Sequence, residues 1–422
     1  MNYIMKIITL PGSKSITNRD LVLSMLVNGK TTLKSILKSD DTHYMLEALK
    51  SMGAEIEEWK DFVKIDVKKY DIKKDEIYVG QSWTCMRFLT WFLVILYNKL
   101  GKTPVLTGEE RLLQRPLKDL IDGIEQMWYK VKSNNGFPPV SIVGGSYKNN
   151  KIKMNGSKSS QFFTALLNIA PALENGLEIE VVWDLVSKPY IDLTIEEMKK
   201  FWVDVENYDY KKFVVKPWKY VSQELVVEGD ASALSYIVNF VVLHWWEIRV
   251  ENIWNSTKQW DYAYLDVVKK YFDFDYISDE KTTTLKANKL DKTKLNKLNE
   301  IDFEAMPDVS MSFMSLAIFL PWKTKITWLQ TLNLKESKRI DAMANELKKL
   351  WVDVEYDEKS ITIWELNEIK KWPIDIETYN DHRIAMVFGT LNTYLKNMNI
   401  LNPSCVNKTY PNFWNDMNYL SK

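Results

Sequence analysis

The chain contains few arginines, and most of them lie in segments suited to binding anions. Only seven of its 56 cationic residues are Arg. A guanidinium group grips phosphate or carboxylate in a planar, bidentate way that lysine cannot reproduce. Arg249 lies in a strand-like segment, and we interpret it as a structural ion-pair residue. The other six lie among small or polar residues and are candidate anion ligands: Arg19, Arg87, Arg111, Arg115, Arg339 and Arg383.

Three serine-containing segments precede apolar runs that are typical of helices. In the first, Ser13 or Ser15 is predicted to cap a helix that carries Lys14 and Arg19 in its first turn. Similar segments occur at 158–161 and 80–87. Since the N-terminus of a helix attracts anions, we expect several helix N-termini to surround one multiply anionic ligand.

Composition excludes several classes of protein. With 422 residues, 46% hydrophobic and 27% charged, the chain is predicted to be globular rather than disordered. Its zero net charge provides no general attraction to nucleic acid or anionic membranes. Apolar stretches such as 88–97 are too short to span a bilayer, and the start resembles no secretory signal, so we expect a cytoplasmic protein. Two cysteines cannot form a disulfide framework or a thiolate zinc site.

A helix, a tight turn and an alternating strand recur along the chain. The turns are centred on residues 53, 128, 202, 272 and 351, which are 70 to 79 residues apart. The chain therefore contains about six units, of which the sixth is incomplete. Units of this length with two element types predict α/β repeat domains and exclude a helical solenoid.

Tryptophan stands where glycine is expected at many turns. The chain has 14 Gly and 17 Trp, and together they make up about 7% of the residues, the fraction usual for glycine alone. Gly53 suits a left-handed helix end, whereas Trp128, Trp202 and Trp351 have a Cβ atom that disfavours it. We hypothesise that UGA specifies glycine in this gene and was translated as tryptophan, with Trp414 as the exception. The chain with tryptophan at all these positions is then predicted to fold poorly and to be inactive.

An ordered series of motifs over nearly the whole chain resembles the 5-enolpyruvylshikimate-3-phosphate synthase (3-phosphoshikimate 1-carboxyvinyltransferase) family. The family usually has Asn at Gln81, an acidic residue at Lys338, and Gly at Trp83 and at several of the other Trp positions. The matching motifs are LPGSKS at 10–15, TGEER at 107–111, QRP at 114–116, SSQF at 159–162, SKPY at 187–190, GDAS at 229–232, PD at 307–308, KESKR at 335–339, DHRIAM at 381–386 and NKT at 407–409.

The resemblance implies a two-domain, inside-out α/β barrel built from six βαβαββ repeats, three in each domain. One subdomain would span residues 13–228, and the second would combine residues 1–12 with 229–422. The active site would lie in the interdomain cleft, and closure of the domains would exclude water from it.

The reaction implied is transfer of the enolpyruvyl group of phosphoenolpyruvate to the 5-hydroxyl of shikimate 3-phosphate, with release of phosphate. It needs proton transfer and a set of cations, with no metal and no cofactor. The partners would be these two small molecules alone, with no nucleic acid and no membrane, and the protein would be a monomer and a glyphosate target in aromatic amino acid biosynthesis.

The resemblance also assigns residues to roles. Asp308 is the candidate base for the hydroxyl, and Lys14 and Glu336 are the candidates for proton transfer at the other centres. The predicted ligands of shikimate 3-phosphate are Lys14, Ser15, Arg19, Ser159, Ser160, Gln161, Ser187, Tyr190, Asp308 and Lys335. Those of phosphoenolpyruvate are Lys14, Gln81, Trp83, Thr84, Arg115, Gln161, Arg339, Arg383 and Lys408.

Two alternatives remain. A UDP-N-acetylglucosamine enolpyruvyl transferase-like enzyme typically needs a loop cysteine, and neither Cys85 nor Cys405 lies in a matching loop. A catalytically decayed binding protein is expected if the native protein has tryptophan at position 83, because the indole of Trp83 would fill space that phosphoenolpyruvate needs. Taken singly, Asp308 could be a helix cap, Glu336 an ordinary partner of Arg339, and His382 a structural residue.

Overall fold

The computed structural model describes residues 5–291, 295, 300–369 and 372–422. Residues 1–4, which belong to the predicted second subdomain, lie outside this range. Contacts divide the chain into an N-terminal unit of residues 12–227 and a C-terminal unit, which combines the residues up to 11 with 228–422. Within the described residues, no helix has the length and hydrophobicity needed to cross a membrane.

The N-terminal unit contains seven α-helices and twelve strands. The helices are α1 (Lys14–Ser24), α2 (Asp40–Ser51), α3 (Trp83–Leu100), α4 (Glu110–Leu113), α5 (Lys118–Gln126), α6 (Ser160–Ile169) and α7 (Pro189–Lys200). The strands are β2 (Lys30–Lys34), β3 (Glu55–Glu58), β4 (Phe62–Asp66), β5 (Glu76–Tyr78), β6 (Val105–Thr107), β7 (Tyr129–Asn134), β8 (Phe137–Gly145), β9 (Lys151–Asn155), β10 (Leu177–Val182), β11 (Glu206–Tyr208), β12 (Lys212–Val215) and β13 (Glu224–Val226).

The described part of the C-terminal unit contains six α-helices and ten strands. The helices are α8 (Ala231–His244), α9 (Tyr264–Tyr271), α10 (Pro307–Ala317), α11 (Arg339–Lys349), α12 (His382–Leu395) and α13 (Phe413–Ser421). The strands are β1 (Lys6–Thr9), β14 (Glu247–Glu251), β15 (Phe274–Ser278), β16 (Thr282–Ala287), β17 (Glu300–Asp302), β18 (Lys323–Thr327), β19 (Val354–Tyr356), β20 (Ile361–Trp364), β21 (Ile374–Ile376) and β22 (Met398–Ile400).

Five four-stranded sheets share one strand order. In β5-β6-β8-β7, the first pair is parallel and the other two pairs are antiparallel. The same pattern recurs in β9-β10-β12-β11 and β17-β18-β20-β19. A helix connects the two parallel strands, as a parallel pair requires, so each copy is a βαβαββ unit. The sixth copy has only the parallel pair β21-β22 among the described residues, which agrees with the predicted incomplete unit.

Two sheets take their first strand from a distant part of the sequence. Strand β1 lies beside β14 in the order β1-β14-β16-β15, although 237 or more residues separate them in the chain. Conversely, β13 lies beside β2 in the order β13-β2-β4-β3. The chain therefore passes from one unit to the other after β1 and again after β13.

Each unit has its own hydrophobic core, with helices inside and strands outside. In the N-terminal unit α1, α3 and α6 pack against one another and are buried along almost their whole length. In the C-terminal unit α8, α10 and α12 do the same. The strands alternate between buried and exposed side chains, as in β2 and β20. The predicted inside-out α/β arrangement is confirmed.

The predicted left-handed helix ends are present at four of the five repeat centres. The backbone angle φ is +104° at Gly53, +77° at Trp128, +67° at Trp202 and +66° at Trp351. At Phe272 it is −122°, which is ordinary extended backbone. Left-handed backbone thus occurs wherever the repeat carries Gly or Trp at its centre.

Candidate active site

Seven charged residues of the C-terminal unit form one cluster, the cation–carboxylate cluster: Lys335, Arg339, Arg383, Lys408, Asp308, Glu336 and Asp381. Arg339 is its buried centre, with 1% of its side chain exposed. It donates to Asp308 Oδ1 at 2.9 Å, to Glu336 Oε2 at 2.9 Å and to Asp381 Oδ2 at 2.8 Å. A buried guanidinium is stable only when it is paired in this way.

The remaining cations of the cluster reach the same carboxylates. Arg383 donates to Asp308 Oδ2 at 3.2 Å, and Lys335 Nζ lies 3.5 Å from Asp308 Oδ1. Lys408 donates to Glu336 Oε1 at 2.9 Å. The predicted catalytic residues Asp308 and Glu336 are therefore in one cluster with four predicted substrate ligands, at most partly exposed to solvent.

The cations control the ionisation of Asp308. Burial by itself raises the pKa of this carboxyl, but Arg383, Lys335 and Arg339 together lower the pKa well below its ordinary value. For Lys335, burial lowers the pKa, while Asp308 opposes the change. Asp308 is thus an ionised carboxylate that can accept a proton, and its basicity is weak while the neighbouring cations have no other anion to bind.

A second carboxylic acid, Asp261, is linked to the cation–carboxylate cluster by Ser232. The hydroxyl of Ser232 donates to Asp261 and accepts from Arg383 Nη2 at 3.3 Å. Burial, together with the charge of Asp308, raises the pKa of Asp261 to about 6. Asp261 was not a sequence prediction, because it lies in a short 3₁₀ helix, Trp260–Ala263, that matches none of the motifs.

The cluster forms because four helices begin at it. Ser232 is in the first turn of α8, Asp308 follows Pro307 at the start of α10, Arg339 begins α11 and Arg383 is in the first turn of α12. Asp381 caps α12 by accepting from the backbone N–H of Arg383 at 2.9 Å. Asp308 is not the N-cap of its helix, since Met306 holds that position. Positive helix ends add to the cationic character of the site.

The N-terminal unit repeats this arrangement with four helix starts: Lys14 and Ser15 begin α1, Trp83 and Thr84 begin α3, Ser160 and Gln161 begin α6, and Tyr190 is in the first turn of α7. Ser159 caps α6 by accepting from the N–H of Gln161. Ser13 holds the N-cap position of α1, but its hydroxyl makes no capping hydrogen bond.

Arg19 connects two of these helix starts. Its guanidinium donates to the carbonyl oxygens of Ser15 at 2.7 Å and Tyr190 at 3.1 Å. It also donates to the hydroxyls of Thr164 and Thr194, and the side chain is buried. In this structure Arg19 therefore fixes the positions of two predicted shikimate 3-phosphate ligands. Ser187, a third, adopts left-handed backbone beside them, with φ +55°.

Two arginines flank the indole ring of Trp83. The guanidinium carbon of Arg87 lies 4.8 Å from the ring centroid, and that of Arg115 lies 4.3 Å from it. Arg87 also donates to Ser159 Oγ at 3.1 Å and Gln161 Oε1 at 2.6 Å, which links α3 to α6. Burial lowers the pKa of Arg87, and the charge of Arg115 lowers it further. An anion between these two cations would offset their repulsion.

The remaining predicted ligands of this unit have acidic neighbours. Lys14 Nζ lies 3.8 Å from Asp41, and Gln81 donates from its amide to Glu109. Arg111, another candidate anion ligand, is exposed. Arg87 was predicted from the rarity of arginine as a candidate anion ligand. Asp381 lies in a predicted motif but was given no role, although its position before a helix was a usable signal of a cap.

Neither cysteine is a reactive thiolate. Cys85 is buried in α3, and burial raises its pKa far above the ordinary value. Cys405 lies in the 3₁₀ helix Pro403–Lys408, and burial raises its pKa to about 11. Both thiols are therefore protonated at neutral pH, which does not fit the alternative chemistry that requires a loop cysteine.

The repeated sheets and the helix starts rich in cations define an α/β protein of the inside-out type that is suited to small anionic substrates. The sequence model of the family EPSP synthase (3-phosphoshikimate 1-carboxyvinyltransferase) matches residues 1–417. The chain belongs to this family. The predicted fold class and enzyme class are confirmed at this level.

Individual relatives are similar to this chain over nearly its full length. The 3-phosphoshikimate 1-carboxyvinyltransferase of Pasteurella multocida is 37% identical over 98% of this chain and 95% of its own length. That of Sulfurovum sp. is 35% identical, over 100% and 98%. The EPSP synthase structure from Acinetobacter baumannii superposes with a TM-score of 0.76 at 22% identity, covering 99% of this chain and 96% of that one.

Proposed function

We propose that this chain transfers the enolpyruvyl group of phosphoenolpyruvate to the 5-hydroxyl of shikimate 3-phosphate and releases phosphate. The observation that carries this is the cation–carboxylate cluster, in which Asp308 and Glu336 are held by four cations. Two of these cations, Arg339 and Arg383, lie at the starts of helices. Such a cluster combines proton-transfer groups with charges for a phosphate and two carboxylates.

In the proposed reaction, the 5-hydroxyl oxygen attacks C2 of phosphoenolpyruvate while C3 gains a proton. Asp308 accepts the hydroxyl proton. The adduct then loses that C3 proton and expels phosphate, which restores the double bond. Bound substrate anions offset the charges of Arg383 and Lys335, so the pKa of Asp308 rises in the complex and the carboxylate becomes a stronger base.

Glu336 and Lys408 are proposed to move the second proton. Their side chains are 2.9 Å apart, so a proton can pass between the carboxylate and the amine without rearrangement. Lys14 is proposed to act at the leaving phosphate, and Arg115 and Arg383 to bind the carboxylate and phosphate of phosphoenolpyruvate. These roles require residues of both units to serve the same reaction, in agreement with the proposed active site between the subdomains.

The test is phosphate release with both substrates present, measured on the chain that carries glycine at the tryptophan positions where the sequence predicts it. Glu336→Gln keeps the size of the side chain and should lower kcat by about 10²- to 10⁴-fold. Lys14→Met and Arg115→Ala should also remove most turnover without unfolding the chain. The exposed variants Glu358→Gln and Lys118→Ala are matched controls that should keep normal turnover. Near-normal kcat for one of the three site variants would exclude that residue from the mechanism.

A second substrate distinguishes the alternatives. UDP-N-acetylglucosamine with phosphoenolpyruvate should give no phosphate release. Binding of shikimate 3-phosphate without any turnover would instead identify a decayed binding protein. We also propose that the enzyme is a cytoplasmic monomer, since both cysteines are free thiols and all proposed site residues come from one chain. Sedimentation of the purified protein tests the monomer.

A further inference from the structure

We infer that glycine, not tryptophan, is the functional residue at eight positions of this chain: seven with left-handed backbone, and position 83. The seven are Trp128, Trp183, Trp202, Trp245, Trp322, Trp328 and Trp351, with φ between +59° and +77°. The inference at position 83 rests on the proposed function, whereas the inference at the other seven does not.

The first support is the comparison with the other aromatic residues. Seven of the 17 tryptophans have positive φ, compared with two of the described tyrosines, Tyr210 and Tyr379, and none of the 16 phenylalanines, all of which are described. Among the described residues other than glycine, tryptophan is the commonest type with positive φ, ahead of asparagine with four. A Cβ atom makes this backbone unfavourable, and asparagine is ordinarily the most tolerant exception. The backbone at these seven sites is that of glycine.

The second support is that these seven side chains lie outside the hydrophobic cores of both units, although Trp351 packs edge-on against Trp372. Each is between 40% and 75% exposed, so the large indole contributes little to the core that could offset its backbone cost. Trp128, Trp202, Trp245 and Trp351 come directly after helices, where glycine usually ends a helix in left-handed conformation.

Trp414 supplies the contrast. Its Nε1 donates to the carbonyl oxygen of Pro403 at 2.9 Å, and its ring packs edge-on against Phe413. It also covers Gly389, where a Cβ would lie 2.7 Å from the indole. This residue has helical backbone and uses its ring and its N–H, as a native tryptophan does.

Position 83 differs, because its indole is buried in contact with two arginines. Its Nε1 has no hydrogen-bond partner in the structure, although a buried indole N–H normally has one. The ring occupies space beside both guanidinium groups, with its centroid 4.8 Å from the guanidinium carbon of Arg87 and 4.3 Å from that of Arg115. Glycine at this position leaves both guanidinium groups and the N-terminus of α3 facing open space, which is what an anionic substrate requires.

The direct experiment is the mass of peptides from the native protein, isolated from its source organism. Peptides containing positions 83, 128 and 351 should carry glycine, and the peptide containing position 414 should carry tryptophan. The gene should have UGA codons at positions 83, 128 and 351 and a UGG codon at position 414. Tryptophan at position 128 or 351 in the native protein overturns the inference for the left-handed set, and tryptophan at position 83 overturns it there.

A recombinant series gives an independent readout. Trp128→Gly, Trp202→Gly and Trp351→Gly should each raise the melting temperature. Trp414→Gly, within helix α13, is the matched control that should lower it. If the left-handed and control substitutions destabilise alike, the inference fails. Should the chain with tryptophan not fold at all, the comparison is made in the chain with all eight glycines, by restoring one tryptophan at a time.

Binding separates this inference from the proposed function. Calorimetry with phosphoenolpyruvate in the presence of shikimate 3-phosphate should detect binding after Trp83→Gly and at least tenfold weaker binding with tryptophan. If the glycine series is more stable but the eight-glycine chain binds neither substrate, the proposed function fails and the left-handed assignments stand. If the tryptophan chain binds phosphoenolpyruvate as tightly as the Trp83→Gly chain, the assignment at position 83 fails and the proposed function stands.

Discussion

Arg339 illustrates how a buried charge shapes the C-terminal unit. Burial would lower its pKa, but Asp381, Glu336 and Asp308 raise the pKa well above the ordinary value. The guanidinium is therefore permanently charged, and it holds the two proposed proton-transfer carboxylates in fixed positions. A single buried arginine thus fixes the geometry of the two carboxylates and contributes, after Arg383 and Lys335, to the low pKa of Asp308.

Asp261 leads to a prediction about pH. Its pKa is about 6 in the folded protein and 3.8 in its unperturbed state, so the folded chain keeps a proton that the unfolded chain releases. The contribution of Asp261 to stability therefore falls as pH rises from about 4 to 6, by up to about 3 kcal/mol. Asp261→Asn should raise the free energy of unfolding at pH 7 and leave it nearly unchanged at pH 3.5.

Urea denaturation across this pH range measures the effect. The exposed variant Asp353→Asn serves as the control, and its difference from the parent should not grow between pH 4 and 7. An Asp261→Asn chain that is less stable than the parent at pH 7 would show that its ionised carboxylate is stabilising, contrary to this prediction.

At the scale of elements, the site residues of both units lie repeatedly at the N-termini of helices. In both units, charged or polar side chains in first turns come together because the inner helices of each unit begin near one another. The carboxylate of Asp381 has two roles: it caps α12, and it accepts hydrogen bonds from the side chains of Arg339 and Ser337.

Asp381→Asn is predicted to be strongly destabilising. The amide can still cap α12, but buried Arg339 loses one of its three carboxylate partners. Breaking a buried ion pair completely costs about 3–5 kcal/mol, and this range is the upper limit for the loss expected here. Asp381→Ala should cost about 1 kcal/mol more, because the cap is lost as well. Denaturant unfolding measures both variants, with Asp266→Asn on the exposed face of α9 as a control. Similar unfolding free energies for Asp381→Asn and the control would contradict this account.

Local sequence patterns predicted the secondary structure elements better than they predicted the contacts and roles of the site residues. The turns at Trp128, Trp202 and Trp351 were predictable because helix ends have strict backbone requirements. The capping role of Ser13 was wrong, since its hydroxyl makes no bond to the helix. The contacts of Asp261 could not be predicted, because they depend on a distant serine, Ser232, that only the tertiary fold brings within reach. The roles of Asp308 and Glu336 came from resemblance, and residue spacing alone left them as a cap and an ion pair.

At the scale of the whole molecule, the first described strand and the last helix lie close together within the C-terminal unit. Lys6 Nζ donates to the carbonyl oxygens of Tyr419 at 3.2 Å and Leu420 at 2.9 Å. Strand β1 and helix α13 are thus neighbours, although they come from opposite ends of the sequence. Each unit would be one continuous segment if residue 422 were joined to the N-terminal segment.

A circular permutant that begins at Gly12 tests this arrangement. With a short linker between the old termini, it should keep a melting temperature within a few degrees of the parent, because all strand pairs are retained. A second permutant that begins at Arg249 is the control, since it cuts β14 and should be much less stable. Loss of folding in the first permutant would show that the connection after β1 itself is needed.

Substrate order provides a further prediction at this scale. Proposed ligands of phosphoenolpyruvate occur in both units, so its binding should depend on shikimate 3-phosphate being bound first. Calorimetry with the eight-glycine chain should give at least tenfold tighter phosphoenolpyruvate binding in the presence of shikimate 3-phosphate. Equal affinity with and without it would contradict coupling between the units.

The pairing of β1 with β14 also has a consequence for synthesis on the ribosome. The four residues of β1 are among the first to emerge, but their partner strand begins only at Glu247. At about 5–20 residues per second, the nascent chain must carry β1 unpaired for roughly tens of seconds. Its shortness and Lys6 limit association with other chains during this wait. Strand β1 is therefore made long before it can dock, and the C-terminal unit cannot mature until the whole N-terminal unit and β14 have been translated.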